Sequence, residues 1–289
     1  MKFLLKVVML IASLGLLAFI LVDKYNMGIF FSQIGEEPTI EKKEEYIETL
    51  REAMLQRQPV VELRFKGKTT EVNEFVGSAI DEVFAIDNKD TSSDFDYLKY
   101  CYKGTEITIH GILDSYTVRY SIEYNETLEQ TEEVDNRIAV TLGILNLENK
   151  SDYEKIKAIH DYIIINASYD VEVVKNSGYD NLINKRSVCQ GYALIAYKMM
   201  TEAGIDCRII TGTGKGVSHA WNIVKLDGQW YNIDCTWDDP VSSDKREHLE
   251  YDYFLKSDQD FLYHERDEEF QSAEFYEQYN MAQKSYSVS

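Results

Sequence analysis

Three residue types that together carry out thiol acyl transfer occur in order within residues 187–239. They are Cys189 in Ser187-Val-Cys-Gln-Gly-Tyr192, His219 in Ser218-His-Ala-Trp-Asn222, and Asp234 in Tyr231-Asn-Ile-Asp-Cys-Thr-Trp-Asp-Asp239. A cysteine attacks as its thiolate, an imidazole moves protons near neutral pH, and a carboxylate fixes the tautomer of the imidazole. Such a set attacks an amide carbonyl, holds the acyl group as a thioester and passes it to water or to an amine. Alone, a cysteine near a helix start is more often a small buried hydrophobe, a histidine a satisfied strand residue and an aspartate a turn carboxylate. Their joint occurrence reverses those readings.

The elements that would position these residues are legible. Ser187 with Gln190 fits a capping box, and apolar residues from Tyr192 to Ala203 recur at helical spacing until Gly204 supplies a stop. Cys189 then falls in the first turn of a helix, where unpaired N–H groups and the positive end of the macrodipole favour an anion. Residues 219–226 and 229–237 alternate as strands around Asp227-Gly228, a two-residue hairpin signal. If Leu226 faces Gln229, Trp221 faces Asp234, and His219 and Asp234 are diagonal neighbours on one face, close enough for a hydrogen bond. With the helix packed across this hairpin, the second imidazole nitrogen reaches the sulfur. Thr211-Gly-Thr-Gly-Lys-Gly216 lies between strand patterns instead of opening a helix, so it reads as a mobile loop delivering His219, not as a phosphate cradle.

The three motifs together resemble the transglutaminase-like superfamily, over about residues 150–260. Ala158-Ile-His-Asp-Tyr162 and Ala167-Ser-Tyr-Asp170 look like the helix that precedes the nucleophile in bacterial members, and Asp252-Tyr-Phe-Leu-Lys-Ser-Asp258 resembles their closing segment. The resemblance implies an α+β, papain-like core in which a cysteine-bearing helix packs on an antiparallel sheet. It places the nucleophile on Cys189, the base on His219 and the orienting carboxylate on Asp234. It implies a peptidase or a transglutaminase acting on protein, peptide or cell-wall amides, with hydrolysis favoured for a site open to water. A non-catalytic peptide- or wall-binding module on the same fold is the alternative. The Cys189 backbone N–H is an expected oxyanion donor.

No cofactor and no metal are expected. Cys101, Cys189, Cys207 and Cys235 are too scattered for the paired spacing of structural zinc, and no twelve-residue calcium loop occurs, although Asp238, Asp239 and Asp244 offer weak calcium affinity. Cys207 and Cys235 read as core residues, and at most one disulfide is available. Trp221, Trp230 and Trp237 read as core or pocket wall. His160, on a helix opened by the capping box Ser151-Asp-Tyr-Glu154, reads as a partly buried helix residue, and His110, His248 and His264 have no partner visible in the sequence.

Residues 7–22 form an uncharged apolar run, extended to position 3 if Lys6 snorkels, about 20 residues and enough to span a bilayer. Lys2 and Lys6 precede it, so the chain beyond Asp23 is expected outside the cytoplasm, and the lack of a small-residue cleavage site favours an uncleaved anchor over secretion after signal cleavage. The expected organisation is a transmembrane anchor over residues 1–24, a stalk over 25–45, an N-terminal α+β domain over 46–150 and the catalytic domain over 151–289. Within 46–150 the patterns predict helices over 41–58, 72–86 and 127–147, and strands over 60–65, 97–102, 106–112 and 116–124. The 30 basic and 50 acidic residues give a net charge of −20, a field that repels phosphate backbones, so nucleic acid is not an expected partner.

Overall fold

A computed structural model describes residues 39–239 and 249–287 of the chain. The elements run α1 (Lys43–Leu55), β1 (Val60–Lys66), α2 (Thr69–Phe84), α3 (Phe95–Cys101), β2 (Tyr102–Ile112), β3 (Ser115–Tyr124), α4 (Leu128–Leu145), α5 (Asp152–Asn166), β4 (Ser168–Tyr169), α6 (Gly178–Leu182), β5 (Arg186–Ser187), α7 (Cys189–Glu202), β6 (Cys207–Gly214), β7 (Val217–Leu226), β8 (Gln229–Ile233), β9 (His264–Arg266), a 3-10 turn (Glu268–Phe270) and α8 (Ala273–Gln278). The mixed α and β composition matches expectation. The apolar run and its flanking lysines lie outside the described residues, and among those described no helix is long and apolar enough to cross a membrane.

The first half is built on an antiparallel sheet in the order β1-β3-β2, whose inward residues Leu63, Phe65, Val118 and Tyr120 pack against Tyr46, Leu50, Phe75 and Val76 of α1 and α2. The 97–102 segment, expected as a strand, is the helix α3. Its aromatic residues mimic alternation, but Tyr97 and Leu98 each lie about one turn before Cys101, and all three are buried.

The second half rests on an antiparallel sheet in the order β8-β7-β6-β9. Even-numbered residues of β7 face α7: Ala220 and Val224 join its core, and Asn222 donates to the Ala193 carbonyl at 3.0 Å. The odd-numbered Trp221 and Ile223 instead join an aromatic cluster with Trp230, Phe261, Phe270 and Phe275. The large core under α7 also takes Tyr97 and Cys101 from α3 and Val134 and Ile138 from α4, so elements upstream of residue 150 help to enclose it.

α7 is buried from Gly191 to Met200, which explains its continuous apolar sequence, and it stops at Gly204, whose φ of +79° is a conformation that glycine adopts without strain. Its start differs from expectation. The N-cap is Val188, with no side-chain cap. Ser187 lies in the short strand β5, its hydroxyl accepts from Asn181 Nδ2 at 2.9 Å, and Gln190 donates to the Tyr100 carbonyl at 2.6 Å, so neither side chain is free to cap. The capping box of α5, Ser151 with Glu154, is present.

Candidate active site

The hairpin turn fixes the site. Asp227 and Gly228 both have positive φ, as a tight hairpin of this kind requires, and Leu226 pairs with Gln229 and Asn222 with Ile233, the register expected from the turn. His219 and Asp234 therefore project to one face, and His219 Nε2 lies 2.7 Å from Asp234 Oδ2. The Cys189 side chain, partly exposed at the start of α7, interacts with the same ring, and with Nε2 engaged by Asp234 it is Nδ1 that is free to serve the sulfur. Of the three residues selected from the sequence, His219 and Asp234 are thus hydrogen-bonded and Cys189 interacts with the same ring.

The electrostatics follow from burial and pairing. His219 is 7% exposed, and burial by itself lowers its pKa; the hydrogen bonds to Asp234 and Cys189 and the Coulombic pull of both outweigh this and raise it to about 10. Asp234 is fully enclosed, which would raise its carboxyl, yet hydrogen bonds from His219 and from His264 hold it well below the usual carboxylate range. Its second oxygen accepts from the backbone N–H groups of Thr236 at 2.8 Å and Trp237 at 3.2 Å. Burial pushes the thiols of Cys101, Cys207 and Cys235 upward, and none of these three is placed to react. All four cysteines are free thiols.

The turn that carries Asp234 is tied down from beneath. Asp238 donates its backbone N–H to the Asp234 carbonyl at 3.1 Å, accepts from the Tyr253 N–H at 2.9 Å and lies 3.1 Å from His160 Nε2. His160 is fully buried, not partly, and its other nitrogen lies 3.2 Å from Asp161; these two contacts overcome the effect of burial and raise its pKa. The Asp238 and Asp239 carboxylates are engaged with His160 and with the Tyr192 hydroxyl.

The segment read as a mobile loop is instead strand β6 as far as Gly214, with only Lys215 and Gly216 in the turn. Its glycines serve close approach. A Cβ on Gly212 would meet the Glu265 carbonyl oxygen at 2.0 Å, and one on Gly214 would meet Trp237 at 2.7 Å and the His219 ring at 3.1 Å. Trp221 and Trp237 wall the His219 ring at 6.0 and 5.2 Å between centroids.

Sequence reasoning missed His264. It enters from β9, and its Nε2 lies 3.1 Å from Asp234 Oδ2, the same oxygen that His219 uses. His219, Asp234 and His264 bring donor atoms within 4.8 Å of one another, a grouping whose chemistry would also admit a divalent metal ion. The three-residue strand β9 has no alternation to read, and His264 follows Asp234 by 30 residues, so no local pattern connects them. The Gly-x-Gly of β6, which lets β9 pass close by, is the one sequence feature that could have signalled it.

Residues 144–235 match the family model of the transglutaminase-like superfamily. Over this segment the chain is similar to a transglutaminase-like core. The chain is 32% identical to mouse (Mus musculus) kyphoscoliosis peptidase over 108 residues, which covers 31% of this chain and 16% of that protein, and 30% identical to the human (Homo sapiens) form over the same length and shares. The aligned region is thus less than a fifth of the length of these curated relatives. Among solved structures, one described as a TGase is 14% identical with a TM-score of 0.37, covering 65% of this chain and 56% of the other. The periplasmic domain of TgpA from Pseudomonas aeruginosa is 15% identical with a TM-score of 0.31, covering 47% and 59%. The matched segment ends at residue 235, so β9 and its His264 lie beyond it although they belong to the same sheet.

Proposed function

We propose that the chain is a cysteine-dependent amide hydrolase that works through a thioacyl intermediate on peptide, protein or cell-wall substrates. The observation that carries this reading is the 2.7 Å pairing of buried His219 with Asp234, with Cys189 at the start of α7 interacting with the same ring; this pairing raises the imidazole to about 10, which favours a protonated ring beside the sulfur. Cys189 attacks the carbonyl carbon as the thiolate, forming the C–S bond and an oxyanion. The oxyanion collapses as the C–N bond breaks and His219 gives its proton to the leaving amine. Water then attacks the thioester while His219 takes its proton, the C–S bond breaks, and the acid leaves with the thiolate regenerated. Asp234 orients the ring and balances its charge throughout. The Cys189 backbone N–H, at the start of α7, has no carbonyl one turn earlier in the helix to accept it and is available to the oxyanion.

Hydrolysis is favoured over transamidation because Cys189 is partly exposed, and a site open to water must be shielded to prefer an amine. The peptidase name of the relatives agrees with this choice. A position outside the cytoplasm, held by the apolar run of residues 3–22, is part of the same reading and rests on the sequence.

The test is turnover of quenched peptide and glutaminyl-peptide libraries by the full chain, with and without a primary amine, against Cys189→Ala. Cleavage without amine that disappears in Cys189→Ala is the expected result. Amine incorporation as the main product would replace hydrolysis by transamidation. No turnover of any amide, together with a binding signal retained in Cys189→Ala, would favour the binding module.

A further inference from the structure

Four strands converge on one carboxylate, and the outermost contributes a side chain whose contacts are all directed. His264 pairs with Gly214 across β6, and Arg266 pairs with Gly212, which on its other side pairs with His219. His219, Gly212, Gly214 and His264 therefore share one face of the sheet, and the two glycines leave the strand between the imidazoles bare. Across that gap the rings lie 5.3 Å apart, each with Nε2 on Asp234 Oδ2. The other nitrogen of His264, Nδ1, lies 3.1 Å from the Leu262 carbonyl. Asp234 Oδ2 is an acceptor only, so the contact from Nε2 is one in which the ring donates.

The surroundings fix this orientation. The His264 side chain is 1% exposed and stacks on Phe261 at 3.9 Å, with Trp237 at 4.2 Å, Trp221 at 5.0 Å and Tyr253 at 5.4 Å. These four aromatic rings enclose the imidazole on the face of the sheet that also carries His219. Building on Cys189 as the nucleophile, we propose that His264 is a positioning residue: from β9 it donates to Asp234 Oδ2 and so holds the carboxylate that orients His219. The catalytic set of this chain is then a Cys189, His219 and Asp234 triad braced by a second imidazole from β9, beyond the segment that matches the family model.

The test reads the second-order rate of Cys189 alkylation by iodoacetamide across pH 5–9 in the full chain, for the wild type, His264→Phe and His264→Gln, each with its urea midpoint. Phe refills the aromatic box and cannot donate, whereas Gln keeps an N–H donor and loses the ring. The expected result is labelling about tenfold slower or more in His264→Phe, with a displaced pH profile, and labelling within about threefold of wild type in His264→Gln. A residue that only fills space would give the opposite order, and that order, or wild-type labelling in His264→Phe, overturns the role assigned to His264. If His264→Phe does not fold, a folded His264→Gln that labels tenfold slower overturns it equally. Wild-type labelling no faster than free cysteine would instead end the nucleophile reading and this role with it.

Discussion

Asp234 is saturated: Oδ2 takes the two imidazoles and Oδ1 takes two backbone N–H groups, in a pocket where 1% of the residue is exposed. An amide cannot accept at both of its atoms, so Asp234→Asn sets an N–H against a donor on at least one side. The expected consequence is a fall in kcat of about 10²–10⁴-fold with KM little changed, read on whichever amide substrate the wild type turns over. The same pairing ties stability to pH. His219 is raised above its ordinary value, so its contribution is full below about pH 6.5 and is lost as pH rises through about 10; Asp234 is lowered, so its contribution is present above about pH 3.9 and is lost as pH falls toward its depressed value. The difference in urea stability between wild type and Asp234→Asn should therefore be greatest on a plateau between those limits and shrink on either side. A difference that grows above pH 10 would contradict the pairing.

At the scale of elements, the site depends on two hairpin turns and one bare strand. The Asp227-Gly228 turn was readable because its chemistry is local, and from it the shared face of His219 and Asp234 followed by period-two counting. The start of α7 was half readable. The helix and its Gly204 stop were visible in the apolar spacing, but Ser187 was assigned as a cap when distant residues, Asn181 and Tyr100, claim its side chain and that of Gln190. Tertiary contacts of this kind leave no trace in local spacing. The strand β6 was misjudged because glycine signals a loop by propensity, whereas here it marks the close passage of β9. Gly212→Ala drives a methyl into the Glu265 carbonyl, so β9 must separate from β6 and withdraw His264. We expect a loss of about 1–3 kcal/mol in urea unfolding together with slower Cys189 alkylation, and an alanine variant with wild-type values in both would show that β9 is dispensable.

Across the whole molecule, the halves are joined by buried polar contacts as well as by a shared core. Asp96 of α3 binds Arg208 Nε at 2.7 Å and the Ile209 N–H at 2.7 Å, on β6. Glu126 accepts from Tyr97 and from the Gly178 N–H, and the fully buried Lys198 of α7 reaches Asp135 and Ser93. A fragment of residues 151–289 would expose the α7 face that Tyr97, Cys101, Val134 and Ile138 cover, and would strand Lys198 and Arg208 without their carboxylates. It is expected to lack a cooperative thermal transition, whereas a chain from residue 39 keeps one; a cooperative transition in the fragment would refute that dependence. All of this architecture serves one sulfur beside one protonated ring, and the most direct measurement is the rate at which iodoacetamide alkylates Cys189 at pH 6 in wild type and in His219→Ala. The account predicts labelling at least tenfold faster than free cysteine in the wild type, collapsing to the free-thiol rate in His219→Ala. Equal rates in both proteins, following the titration of an ordinary thiol, would contradict it.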